Sequence, residues 1–75
     1  MGQIGGWRIT DRALYSTSYI QFNGEPETIT LPGTSYTIKA PAILLDSFNG
    51  QINIGNGRTI LYPDGHITLQ SVLGN

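Results

Sequence analysis

The chain has 75 residues, no cysteine, ten glycines and a formal net charge of −1, and only 12% of its residues are charged. A chain of this length forms one domain, residues 1–75, and buries only about 60% of the surface that its extended form would expose. The composition excludes disulfides and thiolate metal sites, and four scattered basic residues argue against a nucleic-acid surface. No apolar run approaches the roughly 20 residues of a membrane span, so membrane insertion is not expected.

The first third of the chain alternates polar and apolar residues over short segments, as strands with one buried face do. Strands are predicted at 7–10, 13–16 and 19–22, after a loose glycine-containing start at 3–6. Residues 25–27 are predicted to form a loop, because Pro26 has no backbone donor and steers the residue before it away from helix.

The middle third continues this pattern on both sides of a Pro32-Gly33 turn, with strands predicted at 28–31 and 36–39. The segment 43–45 is the one continuous apolar run in the chain. Such a run predicts a strand that is buried on both faces.

The last third repeats a small unit, in which an Asn-Gly or Asp-Gly pair is followed by alternating apolar residues. The pairs are Asn49-Gly50, Asn56-Gly57 and Asp64-Gly65. These dipeptides readily supply two residues with positive φ, so they predict tight turns between strands. Ile52 and Ile67 are expected in a buried stripe and His66 on the other, exposed face. About eight short strands and no helix are predicted, with a tail at 71–75 that frays or continues into a further segment.

Two all-β architectures fit this pattern. One is a trimeric β-fibre or β-prism-like domain, and the alternative is a small monomeric β-meander or barrel. The chain has only two Phe and one Trp, and it lacks disulfides to support a thin core. A homotrimer would bury the Ile and Leu stripes of three chains together, so the composition favours it.

Catalytic chemistry has little support in the sequence. Glu25 and Glu27 flank Pro26 and are expected to be solvated, and Asp46 and Asp64 lie beside turns, where a carboxylate accepts hydrogen bonds from its own backbone. The chain has a single histidine and no Gly-x-Ser-x-Gly elbow. We therefore expect no enzymatic activity, no cofactor and no metal site within one chain, although three copies of the histidine could meet on a trimer axis.

The aromatic residues are the better candidates for binding. They are Trp7, Tyr15, Tyr19, Tyr36 and Tyr62. Amphipathic rings of this kind stack on sugars and anchor protein interfaces, and their alternative role is core packing. The expected partner is a cell-surface glycan or a host receptor.

Two stretches resemble units found in bacteriophage tail fibres and minor tail structural proteins. Residues 4–10, followed by 14–16, resemble the "IGGW-x-I" unit, and residues 43–52 are similar to the "I-x-L-D-x-x-NG-x-I" unit that often follows it. The resemblance implies a β-rich, usually trimeric shaft or receptor-binding region in the virion tail. It also implies that the chain is a fragment of a longer fibre protein with a structural and host-attachment role.

One stretch departs from the plain shaft pattern. Residues 22–42, between the two units, are longer and more often broken by proline, which predicts an inserted loop or a small knob. The alternative function is a monomeric carbohydrate-binding or adhesion domain of a bacterial surface protein, placed extracellularly or at the cell surface.

Overall fold

The computed structural model describes residues 2–70, which form an all-β fold without a helix. The strands are β1 (Gly2–Ile4), β2 (Trp7–Ile9), β3 (Ala13–Ser16), β4 (Gln21–Phe22), β5 (Glu25–Pro26), β6 (Thr28–Thr30), β7 (Thr37–Lys39), β8 (Ile43–Asp46), β9 (Gln51–Ile54), β10 (Thr59–Leu61) and β11 (Ile67–Leu69). The all-β prediction is confirmed, with eleven strands instead of about eight. The prediction for 71–75 concerns residues outside the described part of the chain.

Seven of the strands form one open antiparallel sheet, in the order β1-β2-β3-β8-β9-β10-β11. The sheet is a meander that follows the chain, except between β3 and β8. It does not close into a barrel, because β1 and β11 are its two edges. The start at 3–6, predicted to be loose, is wrong in part, since β1 pairs with β2 around Gly5-Gly6.

The predicted turn pairs connect the last four strands of the sheet. Asn56-Gly57 has positive φ at both residues, 56° and 87°, whereas only the glycine does so in Asn49-Gly50 and Asp64-Gly65. A further pair, Asn23-Gly24, forms a two-residue hairpin turn between β4 and β5 with φ of 52° and 77°. The turns are confirmed. The expectation of positive φ at both residues holds for only one of the three predicted pairs, Asn56-Gly57.

Residues 17–42 leave the sheet between β3 and β8 and form a separate unit, which we call the knob. It consists of two short hairpins, β4–β5 and β6–β7. The chain enters and leaves it side by side, through a Tyr19–Pro41 bridge and a bond from the Ala42 amide to the Ser18 carbonyl at 2.9 Å. Of the two structures predicted for residues 22–42, an inserted loop or a small knob, the chain forms the knob, which begins earlier than predicted, at residue 17. The loop predicted at 25–27 is wrong, because Glu25–Pro26 pairs with β4 as an edge strand that tolerates proline.

The core lies between the knob and the centre of the sheet. Its buried members are Ala13, Tyr15, Leu31 and Leu44, and Ile29 and Ile38 pack against them. The knob covers only one face of β8, so Leu44 is 1% exposed while its neighbour Ile43 is 37% exposed. The prediction that this strand is buried on both faces is therefore wrong for the single chain.

One end of the knob is fastened to the sheet by Arg12. Its Nη1 donates to the Gly33 carbonyl at 2.8 Å, and its guanidinium lies 5.5 Å from the centroid of the Phe48 ring. The approach is so close that a Cβ on Gly33 would meet Arg12 Cδ at 2.7 Å and Phe48 Cδ1 at 2.9 Å. Only glycine fits this contact, at a positive φ of 75°.

The other end of the knob is held by Glu27. Its carboxylate accepts hydrogen bonds from Arg58 at 2.8 and 3.1 Å and from the Asn56 amide at 2.9 Å. The bonds from Arg58, then that from Asn56, lower the pKa of Glu27 to about 2. The expectation of a solvated acid is wrong here, because Glu27 connects the knob to the β9–β10 turn. No pattern in the sequence around Glu27 indicates this contact, because its partners are about 30 residues away.

Candidate functional site

The main sheet has one face that carries no charged residue, which we call the apolar face. Directly paired residues of an antiparallel sheet point to the same side, so the register sorts side chains into rows that cross all seven strands. One row is Ile4, Trp7, Ser16, Ile43, Ile54, Thr59 and Leu69, and the other is Gly2, Ile9, Leu14, Leu45, Ile52, Leu61 and Ile67.

Much of the apolar face is open in the single chain. Leu69 is 77% exposed and Ile67 is 62% exposed, and Ile4, Trp7, Ile43, Ile54 and Leu61 are also exposed. Strands spaced about 4.8 Å apart extend the rows over about 29 Å. A monomeric soluble protein rarely leaves a contiguous apolar surface of this extent uncovered. Ile52 and Ile67 share one stripe as predicted, but Ile67 is not buried within one chain.

The opposite face, which we call the knob face, carries mainly polar side chains, together with Ile60, on the strands beyond the core that the knob covers. Arg8, Asn53 and Thr68 lie on it in register with the core residues Tyr15 and Leu44. The knob thus supplies the second layer of the domain for β3 and β8. The apolar face has no such layer among residues 2–70.

Two of the five predicted contact residues lie on the sheet itself. Trp7 is on the apolar face, exposed beside Ile4 in register. Tyr15 is a core residue with 8% exposure, so only a small part of its ring is available as a surface contact. The reason is its position on β3, under the knob.

The other three tyrosines lie at separate places on the knob side. Tyr36 is 70% exposed in the β6–β7 turn region. Tyr62 stacks on His66 with ring centroids 4.2 Å apart and planes 8° from parallel. Tyr19 contacts Lys39, whose Nζ lies 4.7 Å from the centroid of the ring. The structure therefore does not bring the predicted aromatic residues together into one site.

A groove at the junction of the sheet and the knob contains Tyr19 and two residues that the sequence did not single out, Arg8 and Lys39. Its volume is about 430 Å³, and it is lined by Arg8, Tyr15, Ser16, Thr17, Tyr19, Ile38 and Lys39. Arg8 comes from β2 and Lys39 from β7, so only the packing of the knob on the sheet joins them. No local pattern in the sequence indicates that these two cations share a cavity.

The acidic residues near turns, Asp46 and Asp64, accept hydrogen bonds from backbone N–H groups of those turns. Asp46, which is buried, accepts the Asn49 amide N–H at 2.9 Å and its side-chain amide at 2.9 Å. Asp64 accepts the His66 N–H at 3.2 Å. Both predicted roles are confirmed. Within residues 2–70, no group of three or more His, Asp or Glu side chains is arranged to hold a metal ion.

No family model, curated protein or solved structure matches this chain. Among the described residues there is also no helix of the length and apolarity needed to cross a membrane. The functional proposals below therefore depend on two surfaces, the apolar face and the groove at Tyr19.

Proposed function

We propose that the chain is a structural and host-attachment module of a bacteriophage tail fibre, without enzymatic activity, that assembles as a homotrimer through its apolar face. The observation that carries the proposal is the pair of uncharged rows across all seven strands. A surface of this kind, which no other layer among residues 2–70 covers, is suited to burial against copies of the chain.

The energetics favour association strongly. Fully burying an Ile or Leu side chain is worth about 1.5–3 kcal/mol, and each copy offers seven exposed large apolar side chains on this face. Association costs roughly 4–15 kcal/mol in lost rotational and translational freedom. Burial of most of these side chains in each copy supplies a free energy of the same order as that cost.

The shape of the face suits packing around an axis. Each of the seven strands contributes two residues to it, so the face is a strip about 29 Å tall and only two rows wide. Three such strips can enclose a common axis, with both rows of every copy directed inwards. The knobs and the polar residues of the knob face, His66 included, would then lie outside, away from the axis.

The resemblance to tail-fibre units is consistent with this arrangement. The first unit includes the last residue of β1, all of β2 and most of β3, and the second includes all of β8 and the first half of β9. In the sheet β3 and β8 are direct neighbours, so the two units form one continuous meander from which the knob projects. This supports a fibre shaft that carries a small lateral domain in the virion tail.

The assembly is tested by light scattering on the wild-type chain and on two variants, each with one aspartate introduced at one of two neighbouring residues. We expect a mass of about 24 kDa for the wild type, three times the chain mass of 8.1 kDa. Ile67→Asp places a charge on the apolar face and should give a folded species of one chain mass, because Ile67 is exposed in the single chain. Thr68→Asp, on the knob face, is the matched control and should remain trimeric.

Two results would contradict the trimer. A wild-type mass of 8.1 kDa that holds at every concentration, with full β signal, would favour the monomeric carbohydrate-binding or adhesion domain of a bacterial surface protein. A mass of about 16 kDa would retain the apolar face as the interface but replace the trimer by a dimer. The tail location is tested separately, by immunogold labelling of virions from the phage or prophage that encodes the chain.

A further inference from the structure

The four basic residues of the chain fall into two classes. Arg12 and Arg58 are engaged in fastening the knob, through the Gly33 carbonyl and the Glu27 carboxylate. Arg8 and Lys39 form no ion pair within residues 2–70, and both line the groove at Tyr19. Arg8 and Lys39 are thus the two basic residues whose side chains form neither a hydrogen bond nor an ion pair within residues 2–70, and both lie in one groove.

The groove has the size and the lining of a small-ligand site. Its volume of about 430 Å³ lies within the range of about 300–1,000 Å³ that is usual for such sites. Tyr15 and Ile38 give it an apolar floor, and Thr17 adds a hydroxyl. The Lys39 ammonium is held against the Tyr19 ring at 4.7 Å, which restrains its position at the groove wall.

We propose that this groove binds an acidic sugar unit, one that carries a carboxylate, of a bacterial surface polysaccharide. The planar guanidinium of Arg8 can donate two parallel hydrogen bonds to one carboxylate, and Lys39 adds a second positive charge. Tyr19 and Ile38 supply apolar surface for the C–H side of the sugar ring, and Thr17 bonds a hydroxyl group. The inference rests on the host-attachment part of the proposed function and is independent of the trimer.

The charge content of the groove favours this ligand over a nucleic acid. Nucleic-acid binding depends on many phosphate contacts, whereas two cations fit one anionic group. The groove also lies at the knob, on the side of the sheet opposite the apolar face. An assembly through the apolar face therefore leaves it open to an extended polymer.

The test is a titration followed by NMR or calorimetry, with trigalacturonate and N-acetylneuraminate as acidic probes and galactotriose as the neutral control. We expect saturable binding of at least one acidic probe, and at least about tenfold weaker binding of galactotriose, since a charge-assisted contact is lost. Arg8→Gln should weaken binding about tenfold or more, and Lys39→Gln should weaken it by a smaller factor. Tyr36→Ala, at an exposed tyrosine outside the groove, should leave the affinity unchanged.

Three results would overturn the inference. They are no binding of either acidic sugar, equal binding of inorganic phosphate alone, and binding that Arg8→Gln and Lys39→Gln both leave unaltered in folded protein. Repeating the titration on the monomeric Ile67→Asp variant separates this inference from the assembly. Retained affinity there would support the groove, even if the wild type proved not to be a trimer.

Discussion

The two faces of the main sheet differ in what covers them, although they alternate residue by residue along the same strands. On β8, Leu44 is covered by the knob, and Leu45 points to the apolar face beside Ile52. The charged side chains of these strands, Arg8 and Asp46, lie on the knob face, and the apolar face has none. The knob therefore covers the centre of one face of the sheet, and no layer among residues 2–70 covers the other face.

The difference also shows how a short chain divides its residues between folding and association. The knob takes about a third of the chain, and it buries only the centre of one face. Its two ends are fixed by polar contacts, at Gly33 and Glu27, instead of by a large apolar area. Most of the Ile and Leu residues of the sheet therefore lie on the apolar face, outside the core that the knob covers.

The largest effect is expected for the residue that the knob covers most completely. Leu44→Ala removes a side chain that is 1% exposed, and it should lower the free energy of unfolding by about 2–5 kcal/mol through lost burial and a cavity. Chemical denaturation monitored by circular dichroism measures it. Leu69→Ala, on the open apolar face, is the matched leucine. In the assembled protein its cost should depend on protein concentration, whereas the cost of Leu44→Ala should persist at every concentration.

The turns fix the register of the paired strands. A slip of one residue would move every side chain of a strand to the opposite face of the sheet. Gly57→Val and Gly65→Val should each destabilise the fold by about 1–3 kcal/mol, since both glycines have positive φ, at 87° and 92°. Thermal unfolding measures the loss. Gly6→Ala is the control, because its φ is not positive and its new Cβ would meet Thr17 Oγ1 at an ordinary 3.5 Å. Unchanged melting of both valine variants would contradict the turn assignment.

The attachment of the knob should depend on pH. The bonds from Arg58 and Asn56 lower the pKa of Glu27 from 4.5 to about 2 in the folded chain. The folded state therefore holds the carboxylate in its charged form, and this contribution is present above pH 4.5 and is lost as the pH falls through 2. Glu27→Gln should lower Tm at pH 7, and its difference from the wild type should shrink towards pH 2. Glu25→Gln, in the exposed β4–β5 hairpin, should not show this pattern.

The smallest effect is expected at the polar end of the knob face. His66→Ala removes the stacking on Tyr62 and should cost no more than about 1 kcal/mol, because the pair is exposed. The mass in light scattering should remain that of the wild type. A drop in mass would contradict the proposed interface, because His66 is on the knob face and only the next residue, Ile67, lies on the apolar face.

The sequence by itself determined the local features. Hairpin turns at the Asn-Gly and Asp-Gly pairs, the shared stripe of Ile52 and Ile67, and the backbone roles of Asp46 and Asp64 all follow from neighbouring residues. The knob was also predictable, because prolines interrupt the repeating pattern. Such features depend on backbone conformation and a period of two, which are properties of a few consecutive residues.

Only the tertiary structure decided which contacts join distant parts of the chain. It placed Tyr15 in the core, joined Glu27 to Arg58 by hydrogen bonds, and brought Arg8 and Lys39 into the lining of one groove. It also left Ile67 open, because nothing in the period-two pattern states whether a stripe meets the chain itself or another copy. Periodicity defines which side chains share a face, whereas the covering of that face depends on how the whole chain packs.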